Sequence, residues 1–112
     1  MAKRAEVLVA LRKLGFGAGG RRERFVVVQS DLLTGIDTVI VAPLDEDAPM
    51  YKDDPLVVRV APAESGTSQP HVVLVHLMAA ARLDRFEPAA VGRLSSRSMA
   101  QVDRLMTRVL HP

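Results

Sequence analysis

The stretch GAGGRRERFVVVQSDLLTGIDTVIVAPL, residues 17–44, indicates the fold class of this chain. A loop rich in glycine and arginine leads into the run RFVVVQS, and a short connection separates that run from TVIVAPL. Both runs predict strands, because β-branched side chains pack well on a pleated sheet. The glycines leave the loop backbone unconstrained, and proline cannot donate to a sheet ladder. We therefore expect a loop before the second strand and the end of the third strand at Pro43.

Further short apolar runs, without helices between them, continue this pattern along the chain. They predict strands at AEVLVAL (5–11), LVVRVAP (56–62) and HVVLVHL (71–77), and a short edge strand at VGRL (91–94). The segments between them, including the acidic stretch DEDAPMYKDDP (45–55), are rich in turn-forming residues. Residues 83–90 are expected to be irregular or to form a single helical turn.

The C-terminal segment LSSRSMAQVDRLMTRVL differs because its apolar residues recur at helical spacing. Ser95 or Ser96 is a suitable N-cap for this helix. Closely spaced strands followed by one terminal helix predict a mainly β fold, a small antiparallel barrel capped by a C-terminal helix. We expect a single domain that spans residues 1–112, because a chain of this length holds one modest core.

The composition excludes several functional classes. There is no cysteine, so disulfides, thiolate zinc sites and cysteine nucleophiles are excluded, and three scattered histidines make a structural metal site unexpected. We expect no cofactor. The formal net charge is only +2, so any basic patch is local, and aromatic residues are too scarce for a platform of stacked bases. No apolar run is long enough for a bilayer span or a signal peptide, which favours the cytoplasm.

The spacing of Gly15, Gly17 and Gly20 fits the dinucleotide-binding pattern G-x-G-x-x-G. That pattern acts by placing a pyrophosphate at the N-terminus of a following helix. Here the glycines precede a β-branched run, so a hairpin loop is the preferred interpretation.

Positive charge concentrates in and beside this loop, at Lys13, Arg21, Arg22 and Arg24. Guanidinium groups present a planar fork of donors that matches phosphate, which favours contact with RNA. The alternative is a solvated surface loop. Arg24 stands out because it opens a strand, and a rigid element positions a side chain better than a loop tip does.

Two other residues have side chains that can act as an acid or a base. His76 ends the fifth predicted strand, and an imidazole can exchange a proton near neutral pH. Asp45 follows the third strand and is a candidate general base or partner for the loop arginines. A half-buried surface histidine and a solvated acidic turn are the alternatives for these two residues.

In order and spacing, most of the chain resembles the MazF/PemK family of bacterial toxins. The segments that carry the resemblance are RFVVVQSDLL, TVIVAPL, PLVVRVAPAESG, HVVLV and VGRLSSRSMAQVDRLMTRVL. The resemblance implies an SH3-like barrel, a homodimer, a cognate antitoxin and metal-independent cleavage of single-stranded RNA that arrests growth. The antitoxin is expected to mask the active surface with a segment that folds on binding.

Site residues carry over from the family one position at a time. The arginine that opens the family's second strand is present as Arg24, which would stabilise the charged phosphorane. The family's threonine after the third strand is Asp45 here, and the acidic residue and glutamine near the end of the fifth strand are His76 and Leu77. We expect Arg24, His76 and Asp45 to be catalytic, and Arg21, Arg22 and Lys13 to bind RNA.

The middle of the chain also resembles CcdB, a toxin with the same barrel that poisons DNA gyrase through its C-terminal helix. VQSDLLTGIDT, VAPL and HVVLVHLMAA carry this second resemblance. CcdB-type toxins end in an aromatic-Gly-hydrophobic tail, whereas this chain ends in Val-Leu-His-Pro. Three hypotheses stay open at this point: an endoribonuclease, a gyrase poison without enzymatic activity, and a catalytically degenerate module that binds an antitoxin.

Overall fold

The computed structural model describes residues 2–11, 23–32 and 37–110, which form a curled antiparallel sheet and a C-terminal helix. The strands and helices are β1 Glu6–Val9, β2 Arg24–Val27, β3 Thr38–Glu46, β4 Val57–Val60, α1 Pro62–Ser65, β5 His71–Leu74, β6 Ala79–Arg82, β7 Gly92–Arg93 and α2 Ser96–Leu110. The sheet order is β4-β5-β3-β2-β1-β7, and β6 also pairs with β3. The sheet curls into a half-barrel, which confirms the predicted mainly β fold with one terminal helix.

The prediction that Pro43 ends the third strand is wrong, because β3 continues to Glu46. Val28 donates its N–H to the Ile40 carbonyl. Hydrogen-bonded and non-hydrogen-bonded pairs alternate along an antiparallel ladder, so this bond fixes which pairs of β2 and β3 are hydrogen-bonded. Pro43 pairs with Phe25 at a position without hydrogen bonds toward β2. Its missing N–H therefore faces away from β2, and the strand continues without losing a bond there.

The prediction of one strand over residues 71–77 is also wrong, because β5 ends at Leu74 and a 3₁₀ turn spans Val75–Leu77. Leu44 pairs with Val73, so a regular ladder would pair Val41 with residue 76, but its partner is Ala79. The chain accommodates the extra residues as a turn. This turn lies opposite Pro43, where no N–H is available to continue the ladder, and pairing resumes with the unpredicted strand β6.

Apolar clusters cover the two faces of the sheet. On one face, Met99, Val102 and Leu105 of α2 pack against side chains from β1, β2, β3, β4 and β5. On the other face, Phe25 and Phe86 meet edge to face, with ring centroids 5.6 Å apart, beside Val27, Val39 and Val41. The helix follows the predicted apolar stripe, and burial of that stripe is its main source of stability.

Helix α2 begins where the sequence predicts. The Ser95 hydroxyl accepts a hydrogen bond from the Ser98 N–H at 3.1 Å, which is N-cap geometry. The short strand β7 and the 3₁₀ turn at Leu83–Arg85 also match the predicted edge strand and single helical turn. The glycine-rich loop before β2 lies outside the described residues, and the element that follows it is a strand, as expected.

Two glycines permit close contact between α1 and β7. Gly66 has a φ of +72°, and a Cβ at this position would lie 2.1 Å from the Val91 carbonyl oxygen. A Cβ on Gly92 would lie 2.3 Å from the Glu64 carbonyl oxygen. Both positions therefore require glycine, and the contact brings α1 close to the start of α2.

Candidate functional site

Arg24 opens β2 in a half-buried position, at the end of the sheet where β3 finishes. Its Cα partners are Val9 on β1 and Leu44 on β3. Since directly paired residues point to the same side of a sheet, Arg24 shares the face of Leu44, which is the face covered by α2. The Arg24 Nε is buried and has no hydrogen-bond partner among the described residues. A buried guanidinium nitrogen without a partner favours an anion as its missing acceptor.

Asp45 follows Leu44 in a regular ladder and therefore points to the opposite face from Arg24. Its Oδ2 accepts a hydrogen bond from the Tyr51 hydroxyl at 2.6 Å, and its Oδ1 accepts one from the Glu46 N–H at 2.9 Å. Tyr51 is buried between Val57, Val72 and Leu74. Asp45 thus holds the following 3₁₀ turn, Pro49–Tyr51, against the sheet.

The polar network around Asp45 includes further groups. Arg59 on β4 donates to the Tyr51 carbonyl and forms an ion pair with Asp47, with Nε and Oδ2 3.5 Å apart. Burial and the hydrogen bond to Asp45, together with the charges of Asp45 and Asp54, raise the pKa of Tyr51 to about 12. Each of these interactions disfavours the phenolate. The network stabilises the acidic stretch that follows β3, and no hydrogen bond or ion pair joins it to Arg24 in the described part of the chain.

His76 is exposed in the 3₁₀ turn between β5 and β6. The turn removes His76 from the regular ladder, and Val73, not His76, lies level with Leu44 and Arg24. Among the described residues, no hydrogen bond or ion pair connects His76 with Arg24 or Asp45. The structure therefore does not bring the three predicted catalytic residues together, and the roles of Asp45 and His76 stay predictions.

Glu46 and His71, which the sequence analysis did not select, lie on the face of Arg24. Glu46 follows Leu44 by two positions on β3, and its Cα partner is His71 at the start of β5. Glu46 is exposed, whereas His71 is buried. The His71 Nδ1 lies 2.9 Å from the Gln69 carbonyl oxygen, to which it donates, and 3.3 Å from the Thr67 hydroxyl. Side chains alternate between the two faces along β3, so Glu46 and Asp45 lie on opposite faces. Which of them shares the face of Arg24 follows only when the register is known.

Lys13, Arg21 and Arg22, the predicted RNA-binding residues, lie outside the described residues. Within residues 2–11, 23–32 and 37–110, no group of three histidine, aspartate or glutamate side chains is arranged to hold a metal ion. In the same residues, no helix has the length and apolar character needed to cross a bilayer.

Comparisons with known proteins identify one family. The sequence profile described as "PemK-like, MazF-like toxin of type II toxin-antitoxin system" matches residues 3–110. No curated protein sequence is significantly similar to the chain.

Several solved structures share the fold at low sequence identity. An endoribonuclease in complex with its cognate antitoxin, from a mycobacterial species, superposes with a TM-score of 0.77 at 14% identity, over 100% of this chain and 98% of that one. MazF from Deinococcus radiodurans gives 0.73 at 18% identity, over 98% and 96% of the two chains. The Mycobacterium tuberculosis toxin MazF-mt6 gives 0.72 at 14% identity, over 94% and 95%.

Proposed function

The chain belongs to the PemK-like, MazF-like toxins of type II toxin–antitoxin systems, and we propose that it acts as an endoribonuclease that cleaves single-stranded RNA without a metal ion. The structural neighbours include a protein described as an endoribonuclease and MazF in complex with MazE. The profile matches MazF-like toxins, so the gyrase-poison alternative is not favoured.

The observation that carries the proposal is the Arg24 guanidinium, with its buried and unpartnered Nε. Cleavage without a metal requires a base for the 2′-hydroxyl, stabilisation of the phosphorane and an acid for the 5′-oxygen. A phosphodiester beside Arg24 would supply the missing acceptor for Nε. The same contact becomes stronger as negative charge develops on the phosphorane, and such differential binding accelerates the reaction.

Lys13, Arg21 and Arg22 precede Arg24 in the chain, and we assign them to the phosphates that flank the scissile bond. A net charge of +2 provides little long-range attraction for RNA, so local contacts of this kind must supply most of the electrostatic binding. The partners that we propose are a cognate antitoxin and a second copy of the chain.

The test is incubation of the purified protein with a long single-stranded RNA in the presence of EDTA. We expect fragments that end in 2′,3′-cyclic phosphate. Arg24→Ala should lower the cleavage rate by about 100-fold or more, by analogy with the loss of an oxyanion-hole donor. Arg24→Lys should restore only part of the rate, because an ammonium group lacks the planar fork.

Arg97→Ala is the matched control, because Arg97 is an exposed arginine on α2. It should cleave RNA at the wild-type rate. Wild-type cleavage by Arg24→Ala would contradict the assignment of Arg24. Intact RNA together with stoichiometric inhibition of DNA gyrase would contradict the proposed function itself.

A further inference from the structure

We propose that Glu46, and not the adjacent Asp45, is the catalytic carboxylate that works beside Arg24. The inference rests on the proposed endoribonuclease function and names the general base of that site. The register of β2, β3 and β5 supports it, because this register places Asp45 on one face of the sheet and Glu46 on the other.

The pairing of β2 with β3 places Glu46 on the face of Arg24. Arg24 pairs directly with Leu44, and the ladder is regular from there back to Val41. Glu46 is two residues beyond Leu44, so it is a diagonal neighbour of Arg24 on the same face. Diagonal neighbours have Cα atoms about 7–8 Å apart, a distance that arginine and glutamate side chains can span.

The pairing of β3 with β5 excludes a slip in register at this point. Leu44, Asp45 and Glu46 pair in order with Val73, Val72 and His71. Asp45 therefore points away from Arg24, toward Val72, where its carboxylate already accepts hydrogen bonds from the Tyr51 hydroxyl and the Glu46 N–H. A base committed to a structural network on the opposite face is poorly placed to take a proton beside Arg24.

The surroundings of Glu46 suit a group that meets substrate. Its side chain is exposed, and among the residues that the structure describes, Arg24 on β2 and His71 on β5 are titratable groups that share its face on the neighbouring strands. Glu46 and His71 form a pair without mutual backbone hydrogen bonds, because the adjacent Asp47 N–H bonds to the Pro70 carbonyl. Side chains approach most closely in such pairs. The buried His71, which hydrogen-bonds to Gln69 and lies within hydrogen-bond distance of Thr67, therefore lies beside Glu46.

In the proposed reaction, the Glu46 carboxylate takes the proton of the ribose 2′-hydroxyl. The 2′-oxygen then forms a bond to phosphorus, and the bond from phosphorus to the 5′-oxygen breaks. The leaving 5′-oxygen takes a proton from water, and protonated Glu46 returns its proton to solvent. The products are a 2′,3′-cyclic phosphate and a 5′-hydroxyl, and Arg24 stabilises the charge that accumulates on the phosphoryl oxygens between these states.

The experiment compares Glu46→Gln, Glu46→Asp and Asp45→Asn as folded proteins, with kcat and KM measured on a short RNA across a range of pH. Glu46→Gln should lower kcat by about 100-fold or more, leave KM within about threefold and abolish the fall in rate toward acid pH. Glu46→Asp should retain that pH dependence at a reduced rate. Asp45→Asn should keep the pH dependence of the wild type and lower the melting temperature, because it weakens the bond to Tyr51.

Three results would overturn the inference while leaving the proposed function in place. The first is wild-type kcat in Glu46→Gln. The second is a loss of kcat in Glu46→Gln with the acid limb of the pH profile unchanged, which would indicate a structural role. The third is loss of both kcat and the acid limb in Asp45→Asn, which would make Asp45 the base. RNA left intact by the wild-type protein would instead overturn the proposed function, and this inference with it.

Discussion

At the scale of single residues, Tyr51 shows how one buried hydroxyl holds the acidic stretch after β3. Burial and the neighbouring Asp45 raise its pKa to about 12 from an ordinary value of 10.0. The folded state therefore favours the protonated phenol. The resulting stabilisation is fully present below pH 10 and is lost as the pH rises through 12.

Tyr51 is the only tyrosine in the chain, and there is no tryptophan, so ultraviolet absorbance of phenolate reports on this residue alone. We expect a titration midpoint near 12 in the folded protein and near 10 in urea. Asp45→Asn should lower the folded midpoint, because it removes a negative charge and weakens the hydrogen bond. A folded midpoint near 10, with circular dichroism unchanged in the same samples, would contradict the network described for Asp45.

The positions of the candidate site residues were only partly predictable from the sequence. The place of Arg24 at the start of a strand was predictable, because an arginine directly before a β-branched run is visible in the sequence. The faces that Asp45 and Glu46 occupy were not predictable, since a shift of one residue exchanges the two faces and only the pairing partners fix the register. The position of His76 in a turn was not predictable either, because the turn between β5 and β6 depends on the same register.

At the scale of elements, α2 is attached to the sheet at more than one point. Glu64 of α1 accepts hydrogen bonds from the Ser95 N–H at 2.9 Å and from the Ala61 N–H at 3.0 Å. Farther along the helix, Asp103 forms an ion pair with Arg4, which lies just before β1. Glu64 therefore links the N-terminus of α2 to α1, which itself lies against β7.

Removal of the Glu64 charge should destabilise this junction in a manner that depends on pH. Burial opposes ionisation of Glu64, but the hydrogen bonds from Ser95 and Ala61 outweigh it, so its pKa lies below the ordinary 4.5. Its contribution is present above pH 4.5 and is lost as the pH falls through the folded-state pKa. Glu64→Gln should lower the free energy of unfolding by about 1 kcal/mol at pH 7, measured in urea, and by less near pH 3.

The matched control is Asp84→Asn, because Asp84 forms an exposed ion pair with Arg82. Such pairs contribute little to stability, so this variant should unfold almost as the wild type does at both pH values. An equal loss in Glu64→Gln at pH 7 and at pH 3 would show that the Glu64 charge is not what stabilises the junction.

Strong local patterns in the sequence predicted most strands and the terminal helix, whereas strand β6 depends on tertiary pairing. The apolar stripe and the Ser95 cap sufficed for α2, and β-branched runs sufficed for β2, β4 and most of β3. Strand β6 has the sequence AAAR, and alanine has little intrinsic preference for strands. It is extended because β3 offers an unpaired edge along Thr38–Val41, which no local window of sequence reveals.

At the scale of the whole molecule, the resemblance to MazF/PemK toxins predicted the fold along the whole chain. The family profile confirms this resemblance over residues 3–110. The structural neighbours share only 14–18% of residues with this chain. At that distance the likeness shows a shared backbone fold and does not carry over the roles of individual side chains.

The sheet of the monomer leaves one edge suited to pairing with a second copy. Within the described residues, β6 pairs only with β3, so its outer backbone groups have no partner strand. Beside this edge, Ile40 is 38% exposed and Leu77 is 37% exposed, and Ala80 pairs directly with Ile40. An apolar edge of this kind, with few charges to protect it, favours association.

We therefore expect the purified toxin to be a dimer of about twice 12.2 kDa by light scattering, with this edge in the interface. Ile40→Lys should shift the mass toward that of the monomer, because it places a charge where apolar side chains meet. Leu32→Lys is the matched control, since Leu32 is 91% exposed, lies in a turn and belongs to neither β6 nor the strand with which β6 pairs. A monomeric wild type would contradict the dimer. A dimer that persists in Ile40→Lys would place the interface elsewhere, and so would dissociation of the dimer in Leu32→Lys.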